Sequence, residues 1–344
     1  MRRAWEGARC GVSMKRFILL AVLLALSGAC KRASREVVVY TSVDQVFSEP
    51  IFKEFERQSS IAVRAVFDTE ETKSTGVLNR LIGEAASPQA DVFWSGDPVR
   101  PFVLAKRGLV QPYLSPNAAG IPAAFKAADG TWTGFAARAR LFLVNNNRAA
   151  GERPNSIKDM IQPRWKGQAA IANPLFGTTT MHAAALFAAW GDEQARSFFQ
   201  QLKANGARIT SSNGEVKRLV ATGEVAFGLA DTDDAFEAVR ERTLVDVVYP
   251  DQEGIGTLLM PTAVVLIKGG PNPEMGRKLV DYLLTAEVER RMADSAGHIP
   301  LRPDVNVPQG VKRASDLKAM PADYARVANE MERIQPWLRQ WVGL

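Results

Sequence analysis

Five times along this chain a short apolar run meets a cluster of Asp, Asn, Ser or Thr, and a segment with helical spacing follows in four of them. Residues 37–40 (VVVY) lead into polar 41–44 and a helix over about 47–58, where Phe47, Ile51 and Phe55 recur every fourth place on one face. Residues 62–67 lead into polar 68–74 and a helix through about 84. Residues 91–94 end in Ser95, Gly96, Asp97 and Pro98. Residues 168–172 lead through 173–178 to a helix from about 179, and residues 224–229 lead through 231–234 to a helix from about 235. Short apolar runs bounded by turn signals suit buried strands, and their alternation with helices predicts an α/β fold with a mainly parallel sheet and helices on both faces. In such sheets ligands sit beyond the carboxyl ends of strands, at helix N-termini. Every polar cluster falls there. Each cluster also suits helix capping, because these side chains accept from first-turn N–H groups. Five of them in two segments point to a shared cleft.

Residues 14–30, MKRFILLAVLLALSGAC, have the layout of a secretory signal: basic Lys15 and Arg16, an apolar run over 17–26, then Ser27, Gly28 and Ala29 before Cys30. A ten-residue helix reaches only about 15 Å, half of a bilayer core, so the run is no stable membrane span. The expectation is a signal over 1–29, a short tether over 30–36, and a protein working in the periplasm or at the cell surface. No ATP or NAD(P)H pool exists there, which removes most enzyme classes. Cys30 resembles the lipidated cysteine of bacterial lipoproteins, with Ser27 where a large aliphatic residue is usual and Leu26 one place early. A lipid on Cys30 would anchor the protein; Ser27, Gly28 and Ala29 also suit ordinary cleavage.

The formal charge of +6 misleads, because Arg2, Arg3, Arg9, Lys15 and Arg16 all lie in the signal-like segment. The rest is close to neutral and carries no basic stripe, so nucleic acid is not an expected partner. The two cysteines, Cys10 and Cys30, both lie outside the folding segments, which excludes a disulfide framework or a thiolate metal site there.

Two extended segments, 135–145 and 258–267, read as crossings between halves of the molecule. They divide it into a lobe of 36–136 plus 259–305 and a lobe of 137–258. Residues 274–295 read as one amphipathic helix on the line Met275, Leu279, Leu283 and Met292. Residues 306–344 read as further helices anchored by Trp337 and Trp341, on neither lobe in particular.

The phrases VVVYTSVDQVFSEPIFKEFE, ADVFWSGDP, GFAARARLFLVNN, WKGQAAIANPLFGTTTMHAAALF and GEVAFGLADTDDA, in this order over about 36–300, resemble the extracellular solute-binding proteins of bacterial ABC importers. The branch they are most similar to binds ferric iron. The resemblance implies a type II periplasmic-binding fold, with two α/β lobes joined by crossover strands and a ligand cleft between them. It also implies a monomer that closes on a small ligand and docks on an inner-membrane ABC permease served by a cytoplasmic ATPase. In the ferric branch a His or acid in the first strand loop, a carboxylate in the third and two adjacent tyrosines hold the metal, often with an exogenous anion. Those positions fall on Asp44, on Gly96 or Asp97, and on Asp233 and Asp234. The five tyrosines are 40, 113, 249, 282 and 324, so an adjacent pair is excluded.

Hard Fe³⁺ accepts carboxylate oxygens in place of phenolates, as do Ca²⁺, Mg²⁺ and Mn²⁺. Asp44, Asp97, Asp233 and Asp234 are therefore the expected metal ligands, with Asp231 beside them. Crowded carboxylates raise one another's pKa, a cost that a bound cation removes. The competing reading is that Asp231 caps a helix while Asp233 and Asp234 favour its N-terminus, contributing about 0.3–1 kcal/mol each. Groups suited to anions stand alongside. Gly177, Thr178 and Thr179 open a helix, and Thr72 and Asn213 lie in similar loops. Arg138 and Arg140 alternate on a strand and so share a side, where either can fork onto an oxyanion or pair with Asp. The cleft thus suits a cation held with an anion, or one organic zwitterion such as an aminoalkylphosphonate. Trp94 and Phe135 supply walls or core, His182 packs on its helix, and His298 sits in a turn near the surface. No hydrolase motif and no catalytic cofactor is indicated, and the chain does not read as an enzyme. A ligand sensor on the same fold would share all of these features.

Overall fold

The computed structural model describes Met1 and residues 35–68, 75–149 and 151–344. The signal-like run, Cys30 and Thr72 lie outside the described residues. The first alternation forms β1 (Glu36–Thr41), α1 (Gln45–Ser59), β2 (Ala62–Phe67), α2 (Thr75–Gly83), β3 (Val92–Ser95) and α3 (Val99–Lys106), closed by the short β4 (Val110–Gln111). Val39 and its neighbour Tyr40, which point to opposite faces, are both buried, as a strand covered on both faces requires. A thirteen-residue strand, β5 (Thr133–Asn145), then crosses the molecule. The second alternation forms β6 (Ala169–Ala172), α4 (Gly177–Trp190), α5 (Asp192–Ala204), β7 (Arg208–Thr210), α6 (Asn213–Ala221), β8 (Phe227–Asp231), α7 (Thr232–Arg240) and β9 (Val245–Val248). The chain returns through β10 (Leu259–Ile267) and finishes with α8 (Pro273–Leu283), α9 (Ala286–Ala296) and α10 (Tyr324–Val342).

The strands run β2-β1-β3-β10-β5-β8-β6-β7, with β4 on β10 and β9 on β5. Pairing is parallel at both ends, among β1, β2 and β3 and among β6, β7 and β8. It is antiparallel in the middle, where β10 meets β3 and β5, and β5 meets β8 and β9. The first part of β5 pairs with β10, and its second part, from Arg140, pairs with β8. The mainly parallel sheet expected from the sequence is thus two parallel sets joined by antiparallel crossing strands.

A bulge interrupts β5. Ala137 faces Pro261 and Phe135 faces Thr262, so Ala136 is left over, with a left-handed φ of 45°. Its backbone is pinned on both sides. The Ala136 N–H donates to the buried Glu289 carboxylate at 2.9 Å, and its carbonyl accepts from Nδ1 of His298 at 3.0 Å. The extra residue sets the facing of Arg138 and Arg140 that follow. His298 is therefore a buried brace of this strand and not a surface turn residue.

One further expectation is corrected. Residues 274–295 form two helices, because the Thr285 hydroxyl accepts from the Val288 N–H at 3.3 Å and starts a new one. The C-terminal helix α10 packs on α4, α5 and α3. Trp337 lies edge-on to Phe187 at 5.2 Å, Trp341 Nε1 donates to the Phe199 carbonyl at 2.9 Å, and Asn329 meets Lys106 of α3. Trp94 and Phe135 stack at 5.4 Å with no exposure, so both are core and not cavity wall. No helix among the described residues is long and apolar enough to cross a membrane.

Candidate functional site

The carboxyl ends of β1, β2, β3, β6 and β8 open onto one cavity of about 530 Å³. Of the residues singled out from sequence, Asp44, Asp97, Arg138, Gly177, Thr178, Thr179, Asn213, Asp231, Asp233 and Asp234 line it. Arg140 lies beneath the floor, fully buried. The N-terminal ends of four helices, α1, α4, α6 and α7, line the cavity, and first-turn N–H groups lack intrahelical partners. Gly177 begins α4 with φ 59°, a left-handed turn that favours glycine.

The floor is an ion pair set by strand register. Arg140 on β5 stands opposite Asp231 on β8, and its Nη1 donates to Asp231 Oδ1 at 2.5 Å. Nη1 also reaches Thr178 Oγ1 at 3.0 Å, and Nη2 reaches Thr179 Oγ1 at 3.3 Å. The other Asp231 oxygen accepts from Thr178 at 2.8 Å, Asn213 Nδ2 at 3.2 Å and Arg138 Nη1 at 3.3 Å. Asp231 is only 1 % exposed. Burial alone would raise its pKa; Arg140 and Arg138 overrule that and hold it below the usual carboxylate value. The Thr178 and Thr179 hydroxyls are therefore committed to this floor, and Arg140 serves Asp231. Thr178 and Thr179 still line the cavity, whereas Arg140 lies under it.

The wall above is acidic. One carboxylate oxygen from each of Asp231, Asp233 and Asp234 lies within 4.8 Å of the others, a grouping that can hold a metal ion. Asp234 accepts from the Asp231 N–H at 3.1 Å. Burial, then the neighbouring Asp233 and Asp231 charges, push its pKa well above normal. Arg138 stretches between the two sides of the cavity. Its Nη2 donates to the Gly96 carbonyl at 2.7 Å, and its Nη1 lies 3.6 Å from Asp233. Burial weakens its charge, but Asp233, Asp231, Asp44 and Asp97 together hold the proton more firmly than usual. A Cβ on Gly96 would meet Ser42 O at 3.1 Å and Arg138 Nη2 at 3.5 Å, so this position favours a residue without one.

The two other acids differ in their bonds to the helices they precede. Asp97 caps α3, accepting from the Val99 and Arg100 N–H groups at 2.9 and 3.2 Å, and its second oxygen takes Arg100 Nη1 at 2.5 Å. Both oxygens of this carboxylate are thus engaged with α3, although Asp97 also lines the cavity. Asp44 stands at the N-cap of α1 but makes no side-chain cap bond, and its side chain lines the cavity. It also lines a small crevice with Arg138, Asp233 and His298.

Asp68 and Glu237 line the cavity as well and were not singled out. Both were within reach. Asp68 opens the polar run after β2, and Glu237 follows Asp233 by four residues on α7, so it shares that face. His182 and His298 are buried and neutral. Burial, aided by Arg140 at His182 and by Arg138 at His298, pushes each down to about 3.

Residues 87–327 match the family described as bacterial extracellular solute-binding protein. Over 297 residues the chain is 26 % identical to "Iron uptake protein A1" of Synechocystis sp., covering 83 % of this chain and 81 % of that one. Over 343 residues it is 25 % identical to the "Putative 2-aminoethylphosphonate-binding periplasmic protein" of Salmonella typhimurium, covering 96 % and 94 %. The crystal structure of apo ferric ion-binding protein A from Pasteurella haemolytica superposes with a TM-score of 0.81 at 21 % identity, covering 90 % of this chain and 98 % of that one.

Proposed function

We propose, from the premise that this chain belongs to the bacterial extracellular solute-binding proteins, that it is the capture component of an ABC importer whose cargo is ferric iron. The type II periplasmic-binding fold supplies the frame. One observation carries the cargo assignment: Asp231, Asp233 and Asp234 gather ligand atoms within 4.8 Å on the cavity wall. Asp44 lines the same cavity. Asp44, Asp233 and Asp234 are the metal ligands in this reading, with an exogenous anion at the helix N-termini completing the oxygen set. Asp231 holds the floor.

The lobes are 36–136 with 259–305 and 137–258, and a ligand touching both favours the closed form by its differential affinity for it. The protein acts as a monomer in the periplasm or on the cell surface, held by a lipid on Cys30, and delivers cargo to a permease driven by a cytoplasmic ATPase. Capture proceeds without chemistry on the ligand, in keeping with membership of a family of binding proteins.

Arg138 favours a second reading. A guanidinium 3.6 Å from Asp233 gives the cavity both signs of charge, which also suits an aminoalkylphosphonate. Calorimetry with ferric citrate and with 2-aminoethylphosphonate separates the two, alongside elemental analysis of protein purified from its own cells. Iron binding that is abolished in the Asp233→Ala, Asp234→Ala double variant supports the first reading. Binding of the phosphonate alone replaces it with the second, and binding of neither overturns both.

A further inference from the structure

His298 has two ring nitrogens, and the brace on β5 uses one of them. Nδ1 meets the Ala136 carbonyl at 3.0 Å, and a carbonyl has no proton to give, so Nδ1 carries the N–H of the ring. The buried ring is neutral, which leaves Nε2 a bare acceptor. Nε2 makes no hydrogen bond to any described residue, on a side chain only 3 % exposed. A buried acceptor left in this way costs free energy. The ring lines a crevice of about 10 Å³, room for roughly one water-sized group. Asp44 and Asp233 line the same crevice, from beyond β1 and β8, and both also line the main cavity. Arg138 is the fourth charged or titratable group there, with Nη2 held by the Gly96 carbonyl at 2.7 Å and Nη1 turned to Asp231 at 3.3 Å.

We propose that this crevice is the subsite for a primary ammonium group of the cargo, with His298 Nε2, Asp44 and Asp233 as its three acceptors. This rests on the second reading above, in which the cargo is an organic zwitterion, and it places the amino end. An ammonium group carries three N–H donors and no acceptor, and it is about as small as a water molecule. Three acceptors around a water-sized space therefore suit it. A metal ion fits this crevice less well. Bonds near 2 Å hold the donors of one ion within about 4.4 Å of one another. Among the described residues the one grouping of three such atoms within 4.8 Å is Asp231, Asp233 and Asp234, without Asp44 or His298. Hydrogen bonds of about 2.9 Å span the wider spacing. His298 then braces the bulge at Ala136 through Nδ1 and holds the cargo through Nε2.

Two variants separate the two roles. His298→Asn keeps an N–H where Nδ1 stands and leaves nothing at the place of Nε2. His298→Gln reaches the place of Nε2 with an acceptor and leaves Ala136 unbraced. The probes are 2-aminoethylphosphonate and, lacking the amine, ethylphosphonate, titrated by calorimetry into the full chain. Wild type is expected to prefer the amine roughly ten-fold or more. His298→Asn is expected to lose about ten- to a hundred-fold in affinity for the amine, as for a hydrogen bond to a charged donor, with ethylphosphonate binding and the thermal melt little changed. His298→Gln is expected to melt lower and to keep most of the affinity. A His298→Asn protein that binds the amine as wild type does would overturn the proposal, and so would a His298→Gln protein that loses as much as His298→Asn. Wild type that binds both phosphonates equally would also overturn it, while the phosphonate reading stood. Wild type that binds neither would remove that reading and the subsite together.

Discussion

The Asp97 loop and the Asp231–Asp234 loop end buried strands in the same way and use their acids differently. After β3 there is one carboxylate and it is consumed, capping α3 and pairing with Arg100. After β8 there are three. Asp231 is consumed by two arginines, a threonine and an asparagine, whereas Asp234 is held against its own ionisation by its neighbours. Helix capping explains Asp97 on the first loop, and on the second it explains two acids, Asp231 and Asp234, which form a reciprocal capping box at the start of α7. Asp233 is the acid that capping leaves over, and it lines the cavity beside Arg138.

Removing a consumed acid tests the comparison most severely. Asp231→Ala strands the fully buried Arg140, and the loss is expected at about 3–5 kcal/mol in chemical denaturation, the range for breaking a buried pair. Asp97→Ala strands Arg100, which is slightly more exposed, and is expected near the lower end, about 3 kcal/mol, with affinity for ferric citrate little changed. A Asp97 variant that kept full stability and lost iron would erase the distinction between the loops.

The histidines give the next effect. Each stays neutral in the fold down to about pH 3, while in the unfolded chain it takes up a proton below about pH 6.5. The unfolded state therefore binds more protons between those values, and stability falls as pH is lowered through that window. His298→Gln is expected to flatten the slope by the share of one proton in denaturation curves from pH 7 to 4.

Asp233 and Asp234 move stability least. Asp233→Ala is expected to stay within about 0.5 kcal/mol of wild type while abolishing cation binding. Asp234→Asn is expected to raise the melting temperature of the ligand-free protein at pH 7. The folded state retains a proton that the unfolded chain releases above about pH 4, so Asp234 costs stability as pH rises, and the gain in the variant should shrink toward pH 4. A lower melting temperature would show the carboxylate to be structural.

Much of this was legible in the chain itself. Short apolar runs bounded by polar residues located β1, β2, β3, β6 and β8, spacing by four located the helix after β1, and the polar residues at strand ends do converge on one cavity. What pattern alone cannot supply is who partners whom. Arg140 and Asp231 lie far apart in sequence, and only the register of β5 against β8 sets them face to face. The Arg100 partner of Asp97, three residues on, was readable as a helical neighbour and passed over. His298 was assigned to the surface because its neighbours Gly297 and Pro300 signal a turn. The carbonyl that holds it belongs to a bulge at Ala136, which no local pattern reveals. Thr285 interrupted an apolar line that ran on through Val288 and Met292, so one helix was read where a cap makes two.

The sealed Arg140–Asp231 pair has a consequence for the speed of capture. A cavity floored by soft hydrocarbon can slump when its occupant leaves and must be rebuilt at each arrival. Here the floor is a charged clasp locked at 2.5 Å from both strands, so it cannot slump without separating opposite charges away from water. The empty receptacle thus keeps its mould between visits, and an arriving solute meets a shape already cast.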